Sequence, residues 1–569
     1  MPAAMSIEEA TATLTAPGAP FEMVERMVRG VRVRCWKNVP NTLRDVVLDS
    51  RRYAERTYLV FEDERLTYEE AFQRIAALAT RLHDDLGVRK GDRVAVAMRN
   101  YPEWVLSFWA AASIGAIVVP LNAWWTGDEL AYGLADSGAR VLFADAERAE
   151  RIAPHRAALA PTLGAVIVVR SGAQIDEGTV RFESLLGALS PNAALPDVAI
   201  DPDDDATIFY TSGTTGKPKG ALGTHRNMVT NIGSSGFTRA RAALRRGVPL
   251  PQSGTDAPQT ATLVSVPLFH VTGSHSMLGF GTASGGKLVM IYKWNAERAL
   301  ELIERERITN FGGVPAMVWQ VLESPDFGKR DTRSVVGVNY GGAPAAPELV
   351  RRIKQAFPAV SASNGYGLTE TSAIATSNGG VDYELRPDSI GQPMPTCDIK
   401  VVDEDGRELP AGGVGELWIA GPNIVKGYWN KPDATAKSFS EGYLHTGDVV
   451  RVDEEGFVYV LDRAKDMLIR GGENVYCVEV ENVLYEHPDV MDAAVIGIPH
   501  RVLGEEVGAI VQVTREARVT SEELRAHAAR QLAAFKVPVR IEIRHEPLPR
   551  NANGKILKRQ LRAELEGEA

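Results

Sequence analysis

Apolar positions fall into helical spacing early in the chain. Phe72, Ile75, Ala79 and Leu82 share one face, and Thr67 and Glu70 just before them have the spacing of a capping box. Residues 93–98 form an apolar run that predicts a buried strand, followed by a helix over 104–113 and a strand over 117–119. No charged residue occurs between 105 and 121. Gly115, Pro120 and the β-branched Ile117-Val118-Val119 interrupt that stretch, whereas a membrane-spanning helix needs about 20 apolar residues. It therefore predicts a buried helix running into a buried strand. Strand and helix alternating in this way point to a parallel α/β sheet.

The alternation resumes after Pro202, from a strand at 208–210 to about residue 380, and suggests a second α/β unit. Between 400 and 460 it gives way to short strands separated by Gly412-Gly413, Gly415 and Gly421-Pro422, an all-β section. After Asp462 a small α+β unit begins, with a helix at 478–484 and strands at 493–498 and 507–513. Thr520 and Glu523 form a second capping box opening a helix, and 540–543 alternates like a strand. Residues 236–260 carry Arg239, Arg241, Arg245 and Arg246, then a Pro-, Gly- and Gln-rich stretch. They are expected to form a surface insertion whose arginines make a solvated helix face.

At 569 residues the chain exceeds one compact core, so at least two domains are expected. Hydrophobic residues at 44% and charged residues at 24% are the balance of a soluble globular protein. A net charge of −10 argues against broad nucleic-acid binding. Cys35, Cys397 and Cys477 lie far apart, so neither a disulfide framework nor a zinc cluster is expected, and a reducing cytoplasm fits. The first residues lack the basic and apolar regions of a signal peptide. Peripheral membrane contact stays open, as do monomer and homodimer.

The densest chemistry lies in Tyr210-Thr-Ser-Gly-Thr-Thr-Gly-Lys-Pro-Lys-Gly220, directly after an apolar strand. Gly213, Gly216 and Gly220 let the backbone bend and bring N–H groups close to an anion. Thr211, Ser212, Thr214 and Thr215 add hydroxyls, and Lys217 and Lys219 add positive charge. The segment describes a cradle for a polyphosphate. It is not a Walker A loop, because Gly213 and Gly216 are too close and Pro218 replaces the Ser/Thr that would hold magnesium.

This segment resembles the signature loop of the adenylate-forming superfamily, which comprises acyl-CoA synthetases, peptide-synthetase adenylation domains and firefly luciferases. Further motifs follow in order, and the resemblance spans about residues 42–561. It implies an α/β fold with a large N-terminal domain, residues 1–461, of two α/β subdomains plus a β-rich section. A hinge at 462–465 and a small mobile α+β domain, 466–569, would follow.

The resemblance also implies roles for single residues. Leu268-Phe-His270-Val-Thr-Gly273 matches the motif bordering the acid, which places His270 at the carboxylate end. Gly341, Gly342, Ala343 and Pro344 resemble the loop packed along adenine. In Asn364-Gly-Tyr366-Gly367-Leu-Thr369-Glu370, Tyr366 offers a ring to adenine and Thr369 a donor to the α-phosphate. Glu370, with Thr214, is the expected magnesium site, a hard oxygen donor for a hard cation. Asp448 would bind the ribose hydroxyls, and Arg463 would contact the nucleotide. Lys465 would be the hinge, and Gly471, Gly472 and Glu473 would line the pantetheine channel of coenzyme A. Lys555 would reach the acid carboxylate and the α-phosphate during adenylation. Taken alone, His270 is a core histidine, Lys465 a linker charge and Lys555 a surface lysine.

The implied activity is an ATP-dependent acid–thiol ligase that forms acyl-AMP and then acyl-CoA, using ATP, magnesium and coenzyme A. No Asp occurs in 269–274 to pair a substrate amine, and little chain follows Lys555, so coenzyme A is the expected acceptor, with a separate carrier protein as the alternative. A nucleotide or acyl sensor without catalysis would be expected to lack Glu370 or Lys555, and both are present. Gly273, Ser274, Gly313 and Ala373 are small and uncharged and are expected to line the acyl pocket. They favour a medium- or long-chain fatty acid, with an aryl or polycyclic acid as the alternative.

Overall fold

The structure, a computed structural model, describes residues 3–172, 178–211, 217–252, 254–342, 347–463, 466–471, 473–515, 517–551 and 555–566. Among these, the apolar runs of the first α/β unit build a seven-stranded sheet in the order Lys219–Thr224, Asp205–Thr211, Ile117–Pro120, Arg93–Ala97, Val141–Asp145, Ala165–Val169, Thr179–Arg181. Strands apolar on both faces pair in parallel beneath covering helices. Here only the edge pair Asp205–Thr211 and Lys219–Thr224 is antiparallel among the described residues. A second sheet, of nine strands, is parallel in its centre and antiparallel at both edges.

The uncharged stretch is a helix, Pro102–Ser113, and a strand, Ile117–Pro120, as its breaks predicted. Pro102 sits at the helix start, where its missing N–H costs nothing. Every residue from Trp104 to Ser113 is buried, because the helix packs against strands of both large sheets. A helix apolar on all sides is buried on all sides.

The predicted β-rich section is an antiparallel set of Asp398–Val402, Val414–Ala420, Tyr443–Val452 and Val458–Arg463. Its last strand ends on Asp462 and Arg463. The following unit contains a long hairpin, Val490–His500 with Gly504–Val513, to which Arg540–Arg544 adds in parallel. Successive residues of the first hairpin strand face opposite ways. Ala493 and Val495 join a core with Val480, Leu484 and Leu524, while Ala494 and Ile496 join Leu548, Leu561 and Leu565. Both sequence-predicted capping boxes form, at Thr67 and at Thr520.

One expectation is overturned. The arginines after residue 236 are not a solvated face but part of a 22-residue helix, His225–Arg246, buried along most of its length. Arg245 Nε lies 3.0 Å from Asp382, and both side chains are less than a tenth exposed. Arg241 donates to the Ser377 carbonyl at 3.1 Å, and the Arg239 guanidinium covers the Phe280 ring, 4.4 Å from its centroid. Arg246 alone of the four is exposed. The helix Ile7–Thr15, which the hydrophobic pattern did not announce, packs along it. Each arginine is accommodated by a carboxylate, a carbonyl or a ring brought from elsewhere in the chain. Among the described residues no helix is long and apolar enough to cross a membrane, and all three cysteines are unpaired and buried.

Candidate active site

The glycine- and lysine-rich loop leaves the strand Asp205–Thr211 and returns through Lys219–Thr224, so Thr211 and Lys219 pair across its mouth. Ser212, Gly213, Thr214, Thr215 and Gly216 lie outside the described residues. The base of the loop is pinned. Tyr210 donates its hydroxyl to Asp136 at 2.9 Å, Lys431 reaches the other oxygen of Asp136 at 2.9 Å, and Tyr132 donates to the Pro218 carbonyl at 3.0 Å. The ammonium of Lys217 stands 4.9 Å from the Tyr132 ring centroid and that of Lys219 stands 4.2 Å from the Tyr428 centroid.

Tyr428 links this loop to the second motif, because its hydroxyl donates to Glu370 Oε1 at 2.6 Å. Burial, with the Glu370 charge beside it, raises the Tyr428 phenol far above its ordinary range, so it stays a donor. Glu370 and Tyr428, together with Glu416, Lys437, His445, Thr446 and Gly447, line a cavity of about 380 Å³. Thr369 opens the short turn Thr369–Thr371 that carries Glu370. Directly after it, Ser372 and Ala373 hold φ of 52° and 84°, a left-handed backbone that non-glycine residues rarely adopt. The turn is held by several bonds at once: Thr371 Oγ1 accepts from Leu368 N–H at 2.8 Å and donates to the Ala373 carbonyl at 2.8 Å, and Asn423 donates to the Thr371 carbonyl at 3.1 Å. Strained backbone that its surroundings fix so fully is common at functional sites.

Tyr366, Asp448 and Arg463, separated in sequence, meet. Tyr366 donates to Asp448 Oδ2 at 2.5 Å, and Arg463 Nε lies 3.0 Å from Oδ1, with the Asp448 side chain 3% exposed. Gly341 lies against the neighbouring strand so tightly that a Cβ would come within 2.3 Å of the Gly365 carbonyl oxygen, and Gly342 has φ of 75°. At Gly367 a Cβ would overlap the Ala373 oxygen. Ala343 and Pro344 lie outside the described residues.

On the acid side, His270 places Nε2 in the interior without a hydrogen-bond partner among the described residues. Desolvation, with the positive charge of Lys555 nearby, pushes its pKa down to about 3, so the ring is neutral. Lys555 belongs to the C-terminal unit, His270 to the N-terminal one. Ser274 is fully buried, donating to the His270 carbonyl at 2.9 Å and sharing a hydrogen bond with His275 Nδ1 at 3.0 Å. Ala373 packs with Phe209 and Val271. At Gly273 a Cβ would stand 2.4 Å from the Pro267 carbonyl oxygen, so the residue is small where backbone meets backbone. Gly313 has φ of 140°, and a Cβ would stand 2.7 Å from Met317 Sδ. Its backbone conformation favours glycine.

Gly471 and Glu473 lie in the turn of the small-domain hairpin Leu468–Arg470 and Glu473–Val475, both exposed, with the Gly471 N–H donated to the Leu503 carbonyl at 2.8 Å. Gly472 and Lys465 lie outside the described residues. Sequence reasoning missed Tyr428, Asp136 and Lys431. The one available signal was the cluster Gly427-Tyr-Trp-Asn-Lys-Pro432, aromatic and cationic within a turn-rich segment.

A model of the AMP-binding enzyme family matches residues 46–429, and a model of the AMP-binding enzyme C-terminal domain matches residues 479–555. A long-chain-fatty-acid–CoA ligase of Yersinia pestis is 35% identical over 538 residues, covering 90% of this chain and 92% of its own. A feruloyl-CoA synthase of an Amycolatopsis species is 35% identical over 497 residues, covering 87% and 93%. Among solved structures, an anthranilate CoA ligase in complex with anthranoyl-AMP superposes with a TM-score of 0.81 at 26% identity, covering 93% of this chain and 98% of that one.

Proposed function

The chain belongs to the AMP-binding enzyme family, and from that premise we propose that it activates a medium- or long-chain fatty acid as its adenylate and transfers the acyl group to coenzyme A. Its class is acyl-CoA synthetase; the acid, the cation and the residue roles are the proposed part. The observation that carries the reading is the meeting of Tyr366 and Arg463 on the buried carboxylate of Asp448, motif residues brought together from three strands.

In the first step a carboxylate oxygen attacks the α-phosphorus of ATP, and the bond to pyrophosphate breaks. Negative charge spreads over phosphate oxygens, and Lys219 and Lys555 stabilise it by position and charge. His270, being neutral, leaves its unpartnered Nε2 for the acid and does not compete for that charge. Asp448, oriented by Tyr366 and Arg463, receives the ribose hydroxyls. Glu370 and Thr214 would hold a magnesium ion, which when bound neutralises charge on the departing phosphates. Glu370 fits that task, because Tyr428 takes only its Oε1 among the described residues, and magnesium favours one or two carboxylates completed by phosphate oxygens.

In the second step the sulfur of coenzyme A attacks the acyl carbon, the bond to the AMP oxygen breaks, and the thiol proton passes to solvent. Lys555 serves the first step and the Gly471–Glu473 turn the second, so rotation of the small domain about Lys465 presents each in turn. A reducing cytoplasm supplies both ATP and free thiol.

An aryl acid is the second reading, favoured by the feruloyl-CoA synthase relative, at the same identity as the fatty-acid ligase. A panel of straight-chain acids of graded length and of hydroxycinnamic and aminobenzoic acids, assayed for AMP release with coenzyme A, separates the two. Fastest turnover of an aryl acid, with every straight-chain acid poor, would replace the first reading by the second.

A further inference from the structure

The small domain carries another lysine removed from bulk solvent that the steps above do not use. Lys558 opens the helix Lys558–Glu566, three residues after Lys555. Its Nζ lies 2.7 Å from Glu481 Oε1, with the side chains 24% and 7% exposed. The same oxygen of Glu481 accepts the Val495 N–H at 2.8 Å, which fixes the carboxylate to the long hairpin. Desolvation pulls the Lys558 ammonium down, but Glu481, Cys477 and Asp462 outweigh it and raise the pKa, so the cation is kept.

Nothing in the docking of this helix calls for that charge. A cation in the first turn opposes the helix dipole. Leu561 and Leu565 already bury the helix against Ala494, Ile496 and Ile510. The ion pair instead anchors the first residue after the stretch that bears Lys555. Within that loop Lys555 N–H donates to Asn551 Oδ1 at 3.0 Å, Asn551 N–H donates to the Lys555 carbonyl at 2.9 Å, and Leu557 N–H donates to the Pro549 carbonyl at 2.9 Å. Upstream, Arg550 pairs with the buried Asp492, which also accepts the Tyr485 hydroxyl at 2.7 Å. The loop is therefore tied down by an ion pair on each side of Lys555.

The downstream tie continues into the large domain. Glu481 stands on the helix Cys477–Tyr485, whose first N–H, that of Cys477, is capped by Asp462 at 2.5 Å. Asp462 is in the last strand of the large domain and is 1% exposed.

We infer that Lys558 is a positioning residue for adenylation: its pair with Glu481 sets Lys555 in register with the helix that Asp462 joins to the large domain. The inference rests on the role of Lys555 given above. Three variants test it, Lys558→Met, Lys558→Arg and the double variant Lys558→Met/Glu481→Gln, in which both charges are gone and the acceptor for Val495 is kept. Each is assayed for acid-dependent ATP–pyrophosphate exchange, for thioester formation from supplied acyl-adenylate, and for thermal midpoint. In Lys558→Met the kcat of exchange should fall on the order of 100-fold, as for about 1 Å of misplacement. KM for ATP and the thioester step should stay within about twofold. Lys558→Arg should recover part of the exchange, and the double variant should recover the midpoint but not the exchange. Exchange returning together with the midpoint in the double variant, or equal loss of both half-reactions in Lys558→Met, overturns the inference. Wild-type exchange is the control: its absence would count against the assigned reaction itself.

Discussion

Lys555 is the residue on which the two half-reactions should part. Lys555→Ala should lower acid-dependent ATP–pyrophosphate exchange by about 10²–10³-fold, the usual scale for removing one group that stabilises developing charge. Thioester formation from supplied acyl-adenylate should persist; loss of both to the same degree would mean a folding defect. Small residues near the acid side need separate explanations. Gly273 touches the Pro267 carbonyl, Gly313 has φ of 140°, and Ala373 has φ of 84°. Gly273→Leu should therefore lower the thermal midpoint and all acids' turnover together. A selective loss of long acids with unchanged stability would place Gly273 on the pocket wall.

Among elements, the helix His225–Arg246 depends most on partners from elsewhere. Asp382→Ala would leave Arg245 buried and unpaired, a change that costs about 3–5 kcal/mol in comparable cases. Asp331→Ala removes the partner of Arg333, which is 90% exposed, and should leave the unfolding midpoint almost unchanged. Urea unfolding of the two variants decides between them: similar midpoints would show that the Arg245 pair is solvated.

At the scale of the whole molecule, two outcomes follow from burial and from the division into domains. Burial depresses His225 to about 4 and His270 and His275 to about 3, below the ordinary histidine value of 6.5. Below that value the unfolded chain binds protons that the folded protein refuses, so this stability is complete above it and is lost as the pH falls toward the folded values. Each histidine should cost about 1.4 kcal/mol per pH unit over that window. Urea midpoints measured across it should decline steeply; a flat profile would contradict the burial of these rings. The second outcome concerns the hinge. Lys465→Pro fixes φ and restricts the preceding residue, so adenylation should survive while thioester formation collapses. Unchanged transfer from acyl-adenylate to coenzyme A would remove Lys465 from that role.

Local chemistry made much of this protein legible in its sequence. The Thr67 and Thr520 caps bond three residues away, the 93–98 and 117–119 runs are strands by composition, and the loop after Tyr210 shows its purpose in glycines, hydroxyls and lysines. Such features depend on neighbours within a few positions. The sequence by itself also placed the adenylation motifs in order, since each is a short contiguous string. Tertiary structure alone decided which polar groups meet. Tyr428 bonds Glu370 across 58 positions, Arg245 meets Asp382 across 137, and Lys431 reaches Asp136 across 295. An arginine with a partner in the interior and an arginine in water have the same sequence signature. Whether the charge is buried is settled by the long-range contact that compensates its desolvation.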